Sequence, residues 1–168
     1  FGNKLFNMYV EDIFVGYRYF ETFAKEKALF PFGYGLSYTN FDIELLDFKA
    51  DKEKMTAKVQ VTNIGKYAGK EVVELFAMAP QGKLTKPLMS LVSFAKTTEL
   101  APGESQKIDL EVPAYNFASF DDTGITGHKY AYILEKGEYK FFIGENVREA
   151  QEIGSFEYSE DTVLEELE

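Results

Sequence analysis

The stretch MTAKVQVT, residues 55–62, alternates strictly between apolar and polar side chains. Met55, Ala57, Val59 and Val61 take the odd positions, and threonine, lysine or glutamine fills every even one. A period of two places the apolar side chains on one face of an extended chain and the polar ones on the other. The stretch therefore predicts a β-strand with one buried face and one face in water.

The same alternation recurs outward from this stretch, at residues 107–112 and 139–143. Between such runs lie turn signals, and Ala101-Pro102-Gly103 predicts a type II turn because proline fixes φ and glycine supplies positive φ. Seven or eight strands are predicted, with candidates at about residues 41–48, 55–62, 71–78, 89–96, 106–112, 129–134, 138–144 and 152–157. One helical turn is expected within residues 113–121. Short strands at this spacing predict an all-β fold, a two-sheet antiparallel β-sandwich of immunoglobulin-like architecture.

The composition excludes several classes of protein. The chain has 168 residues, a formal net charge of −10 and no cysteine. One domain of this size folds without a disulfide or metal, and the lack of cysteine excludes zinc ribbons and thiol catalysis. The negative charge, without a basic stripe, argues against nucleic acid and anionic membranes as partners. We expect no cofactor, no metal and no membrane span, and the composition suits a cytoplasmic or a secreted protein.

Aromatic residues are concentrated before the first predicted strand. Residues 1–40 hold 12 of the 27 Phe and Tyr residues, so they must pack on the sandwich or on a neighbour. Val10 to Phe20 has the content of a strand, and Pro31 and Gly33 mark a loop. We interpret the segment as a linker with a docking surface. Because the chain starts at Phe1 rather than methionine, we expect a fragment of a longer protein.

Two motifs in this segment resemble glycoside hydrolase family 3, whose members are typically β-glucosidases. The first is FVGYR, residues 14–18, with Tyr9, Glu11 and Ile13 before it and Asp12 where the family usually has glycine. The second is LFPFGYGLSYT, residues 29–39. The similarity continues at VTNIG (61–65), AGKEVV (68–73), FAK (94–96), LAPGES (100–105), GEY (137–139), Gly144 and Arg148. It covers almost the whole chain, and its glycine-rich aromatic block is highly specific.

The resemblance implies three segments. Residues 1–40 would hold the last strand of an α/β-sandwich domain and the interdomain linker, residues 41–158 a fibronectin type III-like β-sandwich, and residues 159–168 an acidic tail or linker. The parent enzyme would be a retaining β-glucosidase or a related exo-glycosidase, such as a β-xylosidase, acting through two carboxylates. In this family those carboxylates belong to the barrel and α/β-sandwich domains. No catalytic residue is therefore assigned here, and the chain alone is not expected to be an enzyme.

Acidic pairs and the single histidine are the other candidates for chemistry. Glu71 and Glu74 lie at the start of a predicted strand, where charged side chains usually face water. Asp121 and Asp122 lie in SFDDTG, which favours an Asx turn, and their spacing differs from a known calcium loop. His128 lacks the partners of a catalytic triad and is expected at an exposed or edge position. These residues therefore predict solvated turns and strand ends rather than a catalytic or metal site.

Five linker residues are predicted to form an interdomain interface: Arg18, Phe30, Phe32, Tyr34 and Tyr38. The four rings would fill the seam between the sandwich and the α/β domain. Arg18 would hydrogen-bond to a backbone group or a carboxylate. The alternative is that one ring lines a sugar subsite, because aromatic faces stack on pyranose C–H groups.

The sequence is compatible with three functions. The first is a non-catalytic domain that buttresses the catalytic domains, with the missing α/β-sandwich and barrel domains as partners and a β-glucoside reached only through the parent enzyme. The second is a carbohydrate-binding module, which usually presents a flat row of rings; the chain has no Trp and few outward rings besides Tyr115, Tyr130 and Tyr132. The third is an independent glycosidase. In the tail, Ser159 could cap a short helix, or the segment could be frayed or lead into another domain.

Overall fold

The computed structural model describes residues 5–167. Residues 1–4 of the predicted linker and residue 168 of the predicted tail lie outside the described residues. One α-helix, α1 (Tyr17–Phe23), and a 3-10 turn, Lys25–Lys27, precede the strands, and a second 3-10 turn is Ala114–Phe117. The strands are β1 Phe41–Ala50, β2 Lys54–Asn63, β3 Val72–Met78, β4 Ser90–Lys96, β5 Ser105–Pro113, β6 Ser119–Asp121, β7 Ala131–Leu134, β8 Gly137–Gly144, β9 Gln151–Tyr158 and β10 Thr162–Glu166.

Two antiparallel sheets face each other across one core. The first has the order β1-β2-β5 and the second the order β4-β3-β8-β9. The alternating apolar residues of β2 are all buried, as are Leu75 of β3 and Phe141 of β8 from the facing sheet. The predicted all-β antiparallel sandwich is therefore confirmed, and its core consists of the side chains that the period of two selected.

The turn before β5 has the predicted type II geometry. The Glu104 N–H donates to the Ala101 carbonyl over 2.9 Å, and Gly103 has a φ of 81°. A side chain with a β-carbon rarely adopts that φ, so glycine is required at the third position. The predicted helical turn within residues 113–121 is also present, as the 3-10 turn Ala114–Phe117.

The end of the chain differs from the prediction. Thr162–Glu166 forms β10 instead of a capped helix or a frayed tail, and it pairs with β7, which pairs with β6 to make a third sheet. The reason is that β7 would otherwise present an open edge beside the buried Ile133 and Leu134. Val163 pairs with Ile133 and lies half-buried there, so the tail covers that edge.

The strand-like content of Val10 to Phe20 was also misleading. These residues form a turn and then α1, which begins after Gly16 at a φ of 60°. Within residues 5–40 no strand forms, because a strand needs a neighbour to receive its backbone hydrogen bonds and the described part of the chain offers none there. No helix within residues 5–167 is long and apolar enough to cross a bilayer. The division into domains at residues 40 and 158 stays a prediction.

The edge strands of the two main sheets meet along one side of the sandwich. The Phe48 ring of β1 lies over Gly154 of β9, where any added β-carbon would collide with it. The same ring packs on Phe141 in the core, with the ring centroids 5.9 Å apart. Phe48 and Gly154 thus close this side of the sandwich.

Candidate docking site on the linker

The linker reaches the sandwich through a small second cluster of apolar side chains. Phe76, Met89 and Val147 are its buried members. The Tyr17 ring of α1 stacks on Phe32 at 4.5 Å and meets Phe76 edge-on at 6.3 Å. Tyr17 also accepts a hydrogen bond from a strand, since the Leu91 N–H donates to its hydroxyl oxygen over 2.7 Å. This cluster fixes where the linker lies on β3 and β4.

Arg148 holds α1 in place from the opposite end of the sequence. Its Nε donates to Glu21 Oε1 over 2.8 Å, and its terminal nitrogens donate to the carbonyls of Lys25 and Ala28 over 2.8 and 3.3 Å. Charge-assisted bonds of this kind are stronger than neutral ones. A helix of seven residues does not persist alone in water, so α1 depends on these contacts.

The outer face of α1 is covered by rings that contact one another. The Phe23 ring lies 4.9 Å from Phe14 and 5.6 Å from Tyr19, and Tyr19 lies 5.5 Å from Phe20. Together with Val15 these residues line a groove of about 540 Å³. Phe23 is 56% exposed and Val15 is 63% exposed. We call Phe14, Val15, Tyr19, Phe20 and Phe23 the docking face, because an apolar surface of this kind is typical of an interface.

The four rings predicted for an interface divide into two groups. Phe32 packs on Tyr17 and Phe76 at the margin of the second cluster, and it is 39% exposed. Phe30 and Tyr34 lie against each other at 4.7 Å and are exposed, and Tyr38 is 94% exposed. Three of the four rings thus face outward from this chain. Their role at an interface remains a prediction.

Arg18 does not make the hydrogen-bonded clamp that the sequence suggested. Glu21, the acid one helical turn further on, is held by Arg148 instead. Within residues 5–167 the Arg18 guanidinium has no hydrogen bond or ion pair, and it lines a cavity of about 490 Å³ between the linker and the sandwich. The cavity is also lined by Asn116, Phe120 and other polar and aromatic side chains.

Asp121 organises the loop between β6 and β7, as the predicted Asx turn requires. Its Oδ1 accepts from the Gly124 N–H over 2.6 Å, and its Oδ2 accepts from the Thr126 N–H over 2.8 Å and the Thr126 hydroxyl over 2.6 Å. Burial alone would raise the pKa of Asp121, but these bonds and those from Thr123 hold that pKa far below its usual range. Asp121 is fully buried and not solvated as predicted, because its own loop surrounds the carboxylate, whereas Asp122 is exposed.

Glu74 departs from the expectation that it faces water. It lies within the central strand β3, which is covered on both faces, and only 7% of it is exposed. Its Oε2 has no hydrogen-bond partner within residues 5–167. Burial, assisted by the charge of nearby Glu71, raises the pKa of Glu74 to about 7. Covering by the linker, which the alternation could not reveal, explains the difference.

His128 is exposed, as predicted. Its Nδ1 lies 3.0 Å from Glu166 Oε1 at the edge of the third sheet. No group of three or more His, Cys, Asp or Glu side chains within residues 5–167 is arranged to hold a metal ion.

A buried ion pair between Lys86 and Glu135 was missed by sequence reasoning. Both side chains are almost fully buried, and Glu135 also accepts from the N–H groups of Lys83 and Leu84 over 2.6 and 3.2 Å. Lys86 in turn donates to the Pro80 carbonyl over 3.0 Å. No local pattern signals this pair, because 49 positions separate its members.

The sandwich with its attached linker defines a class of protein module. Residues 71–147 match the family described as the fibronectin type III-like domain. The chain is 48% identical to the β-glucosidase of Ruminococcus albus, over 100% of this chain and 18% of that enzyme. It is 46% identical to β-glucosidase A of Butyrivibrio fibrisolvens, over 95% of this chain and 21% of that enzyme.

A solved structure extends the likeness to three dimensions. The β-glucosidase of Paenibacillus barengoltzii superposes with a TM-score of 0.94 and 46% identity, over 100% of this chain and 19% of that one. The chain is thus homologous along its whole length to the β-glucosidases of glycoside hydrolase family 3. It spans about a fifth of the length of these relatives and corresponds to a non-catalytic part of a glycoside hydrolase.

Proposed function

We propose that this chain buttresses the catalytic domains of a family 3 glycoside hydrolase and binds them through its linker. The observation that carries the proposal is the docking face, a contiguous set of rings and an aliphatic side chain that the described chain leaves in water. Relatives that match the chain are about five times as long, so a neighbour within the same polypeptide is the natural occupant. The interface is thus intramolecular in the complete enzyme.

The physical basis is the transfer of apolar surface out of water. Burial of such surface contributes roughly 25 cal/mol per Å². Rings are enriched in interfaces because they bury a large area with little loss of side-chain freedom. α1 presents its rings on a backbone that Arg148 already anchors, so little ordering is needed at docking.

The chemistry that we propose for the parent enzyme is supported by its relatives and not by this chain. Relatives that match the whole chain are named β-glucosidases, which supports a β-glucoside as the substrate of the parent enzyme. A retaining glycosidase needs two carboxylates about 5 Å apart, supplied in this proposal by the other domains. Of the acids weighed from the sequence, Asp121 is engaged by its loop and Glu74 is covered by the linker.

The experiment is a substitution of the docking face in the complete parent enzyme. Tyr19, Phe20 and Phe23 are replaced together by serine, and the matched control replaces Phe94, a ring that is 66% exposed on the sandwich. We expect the triple variant to split calorimetric unfolding into separate transitions and to shorten the half-life of activity at elevated temperature. The control should keep the unfolding profile of the unsubstituted enzyme.

Two results would contradict the proposal. One is a triple variant that unfolds as the unsubstituted enzyme does, since the rings would then contribute nothing between domains. The other is an equal effect of the Phe94 control, because exposed rings in general would then be responsible. In the isolated chain, the triple variant should also bind less of a dye that fluoresces on exposed apolar surface.

Ring geometry supports docking over the carbohydrate-binding alternative. Tyr132 lies 4.6 Å from Tyr115 and 5.0 Å from Phe120, with the ring planes inclined by 38° and 49°. Such rings pack on each other, whereas a sugar chain needs ring faces presented side by side. Calorimetric titration of the chain with cello-oligosaccharides tests this alternative, and we expect no measurable heat of binding.

A further inference from the structure

The linker loop at Gly33 covers the buried carboxyl group of Glu74. Gly33 has a φ of 87°, and a β-carbon at this position would collide with Glu74 Oε2 and lie 2.7 Å from the Glu145 carbonyl. The neighbouring Phe32 carbonyl accepts a hydrogen bond from the Val147 N–H over 3.0 Å. The loop therefore rests directly on Glu74 and is tied to the segment that follows β8.

We propose that a proton on Glu74 is the condition under which residues 31–35 of the linker seat on the sandwich. A neutral carboxyl group can lie beneath the loop at modest cost, but a carboxylate without a hydrogen-bond partner cannot. Glu74 Oε2 lacks such a partner within residues 5–167. Ionisation would therefore draw water to Oε2, the oxygen that lies beneath Gly33, and we expect the loop to lift to admit it there.

The surroundings of Glu74 disfavour its charged form. Glu71, immediately before β3, acts on Glu74 through its charge, and Glu145, which follows β8, has its carbonyl beside the same Gly33 position. Burial and the Glu71 charge also raise the pKa of Glu145. The nearby cations do not stabilise the charged form of Glu74, because Lys96 of β4 acts on Glu71 and Arg148 is bound to Glu21. The linker adds only the backbone of Gly33 at Oε2, among the contacts that the described residues show there.

The direction of the effect follows from the raised pKa of Glu74, about 7. The seated state binds a proton that the lifted state releases, so seating is fully present below the ordinary glutamate range. It is lost as the pH rises through about 7. The loop carries Phe32, which stacks on Tyr17 of α1, so lifting would also loosen the helix that bears the docking face. That consequence rests on the proposed function, whereas the loop movement does not.

The test is a nuclear magnetic resonance titration of the full chain with labelled glutamate and backbone amides. We expect the Glu74 carboxyl carbon to titrate near neutral pH, together with the Gly33 and Val147 amides. The protection of the Val147 amide against hydrogen exchange, corrected for intrinsic rates, should fall at least about tenfold from pH 5.5 to pH 8.5. In E74Q, a neutral side chain of the same shape, protection should stay high at both pH values.

E138Q is the matched control, because Glu138 is an exposed glutamate on β8. It should titrate and exchange like the unsubstituted chain, and an equal loss of the effect in E138Q would overturn the proposal. A Glu74 carboxyl that titrates near the ordinary glutamate value would also overturn it, as would Val147 protection that ignores pH. The docking-face triple variant should show the same titration of Glu74 as the unsubstituted chain. The proposal on Glu74 can therefore fail or hold independently of the proposal on docking.

Discussion

At the scale of single residues, the buried pair Lys86–Glu135 fixes the loop that joins β3 to β4. Glu135 follows β7, and its two oxygens receive Lys86 and the N–H groups of Lys83 and Leu84. The side chains of Lys86 and Glu135 are almost fully removed from bulk water. Taking away one member leaves the others buried without a partner, which costs more than the pair contributes in net stability.

Replacement of Glu135 by alanine should therefore lower the free energy of unfolding by about 3–5 kcal/mol. The control is D109A, which removes the exposed ion pair between Asp109 and Lys58 and should cost less than about 1 kcal/mol. Urea unfolding followed by circular dichroism measures both. Equal losses in the two variants would contradict the assignment of Glu135 to a buried network.

Asp121 should give the chain an acid-sensitive loop. Its pKa is depressed, so its contribution is present above about pH 4 and is lost as the pH falls through its folded value. Asn at this position keeps one acceptor but cannot accept from both Gly124 and Thr126. D121N should have a lower free energy of unfolding than the unsubstituted chain at pH 7, and this difference should narrow below about pH 4. A gap that is independent of pH would count against this account.

The sequence predicted some of these residue roles and could not predict others. Asp121 lies in a local turn, and the composition of that turn was sufficient to predict the Asx turn. Glu74 and the Lys86–Glu135 pair depend on which distant segments lie over them, and no spacing encodes that. Asp12 lies between these cases: its φ of 51° is a backbone that glycine adopts freely, in agreement with the glycine usual in the family motif.

At the scale of elements, α1 is the part of the structure most dependent on distant contacts. Arg148 lies 127 positions from Glu21, and Thr22 accepts from the Leu88 N–H over 2.9 Å. Intrinsic propensity did not indicate a helix here, because aromatic residues favour strands. Docking on the sandwich decides the conformation instead.

Removal of the Arg148 side chain should therefore release α1 without unfolding the sandwich. In R148A we expect protection of the Ala24 amide, which donates to the Phe20 carbonyl over 3.0 Å, to fall at least about tenfold. Amides of β2 should keep their protection, and hydrogen exchange resolved by residue measures both. K25A retains the Lys25 carbonyl that Arg148 uses and serves as the control. If the Ala24 amide were as protected in R148A as in K25A, the contacts of Arg148 would contribute nothing to the stability of α1.

The long strands could be predicted from the sequence, and the shortest strands could not. β2, β5 and β8 have seven or more residues with clear alternation, so their positions followed from the pattern within about two residues. β6 and β10 have three and five residues, too few for a period of two to stand out. Both exist because β7 provides an edge for them.

At the scale of the whole molecule, the chain has two apolar clusters of unequal weight. The larger fills the space between the main sheets, and the smaller, around Phe76, holds the linker. Thr39 marks the boundary, because its hydroxyl donates to the fully buried Asn63 over 2.6 Å. We therefore expect the sandwich to hold together from residue 39 onward.

A chain that begins at Thr39 should still unfold in one cooperative transition. Its denaturant midpoint should be lower than that of the full chain, because Phe76 loses its cover, and its m-value should be smaller because less surface is exposed on unfolding. Binding of the apolar-surface dye should fall, since the docking face is absent. Loss of cooperativity would show that the linker belongs to the main core.

The contact of Phe48 with Gly154 has a consequence for self-assembly. Unpaired backbone groups at a sheet margin can recruit a foreign strand, and amyloid-like growth begins at such margins. Because the β1 and β9 margins meet at this ring, we expect intermolecular pairing of the two main sheets to start on the opposite flank, at β4 or β5. The charged side chains that alternate along β5, such as Lys107 and Asp109, should disfavour the pairing of a strand from another molecule there.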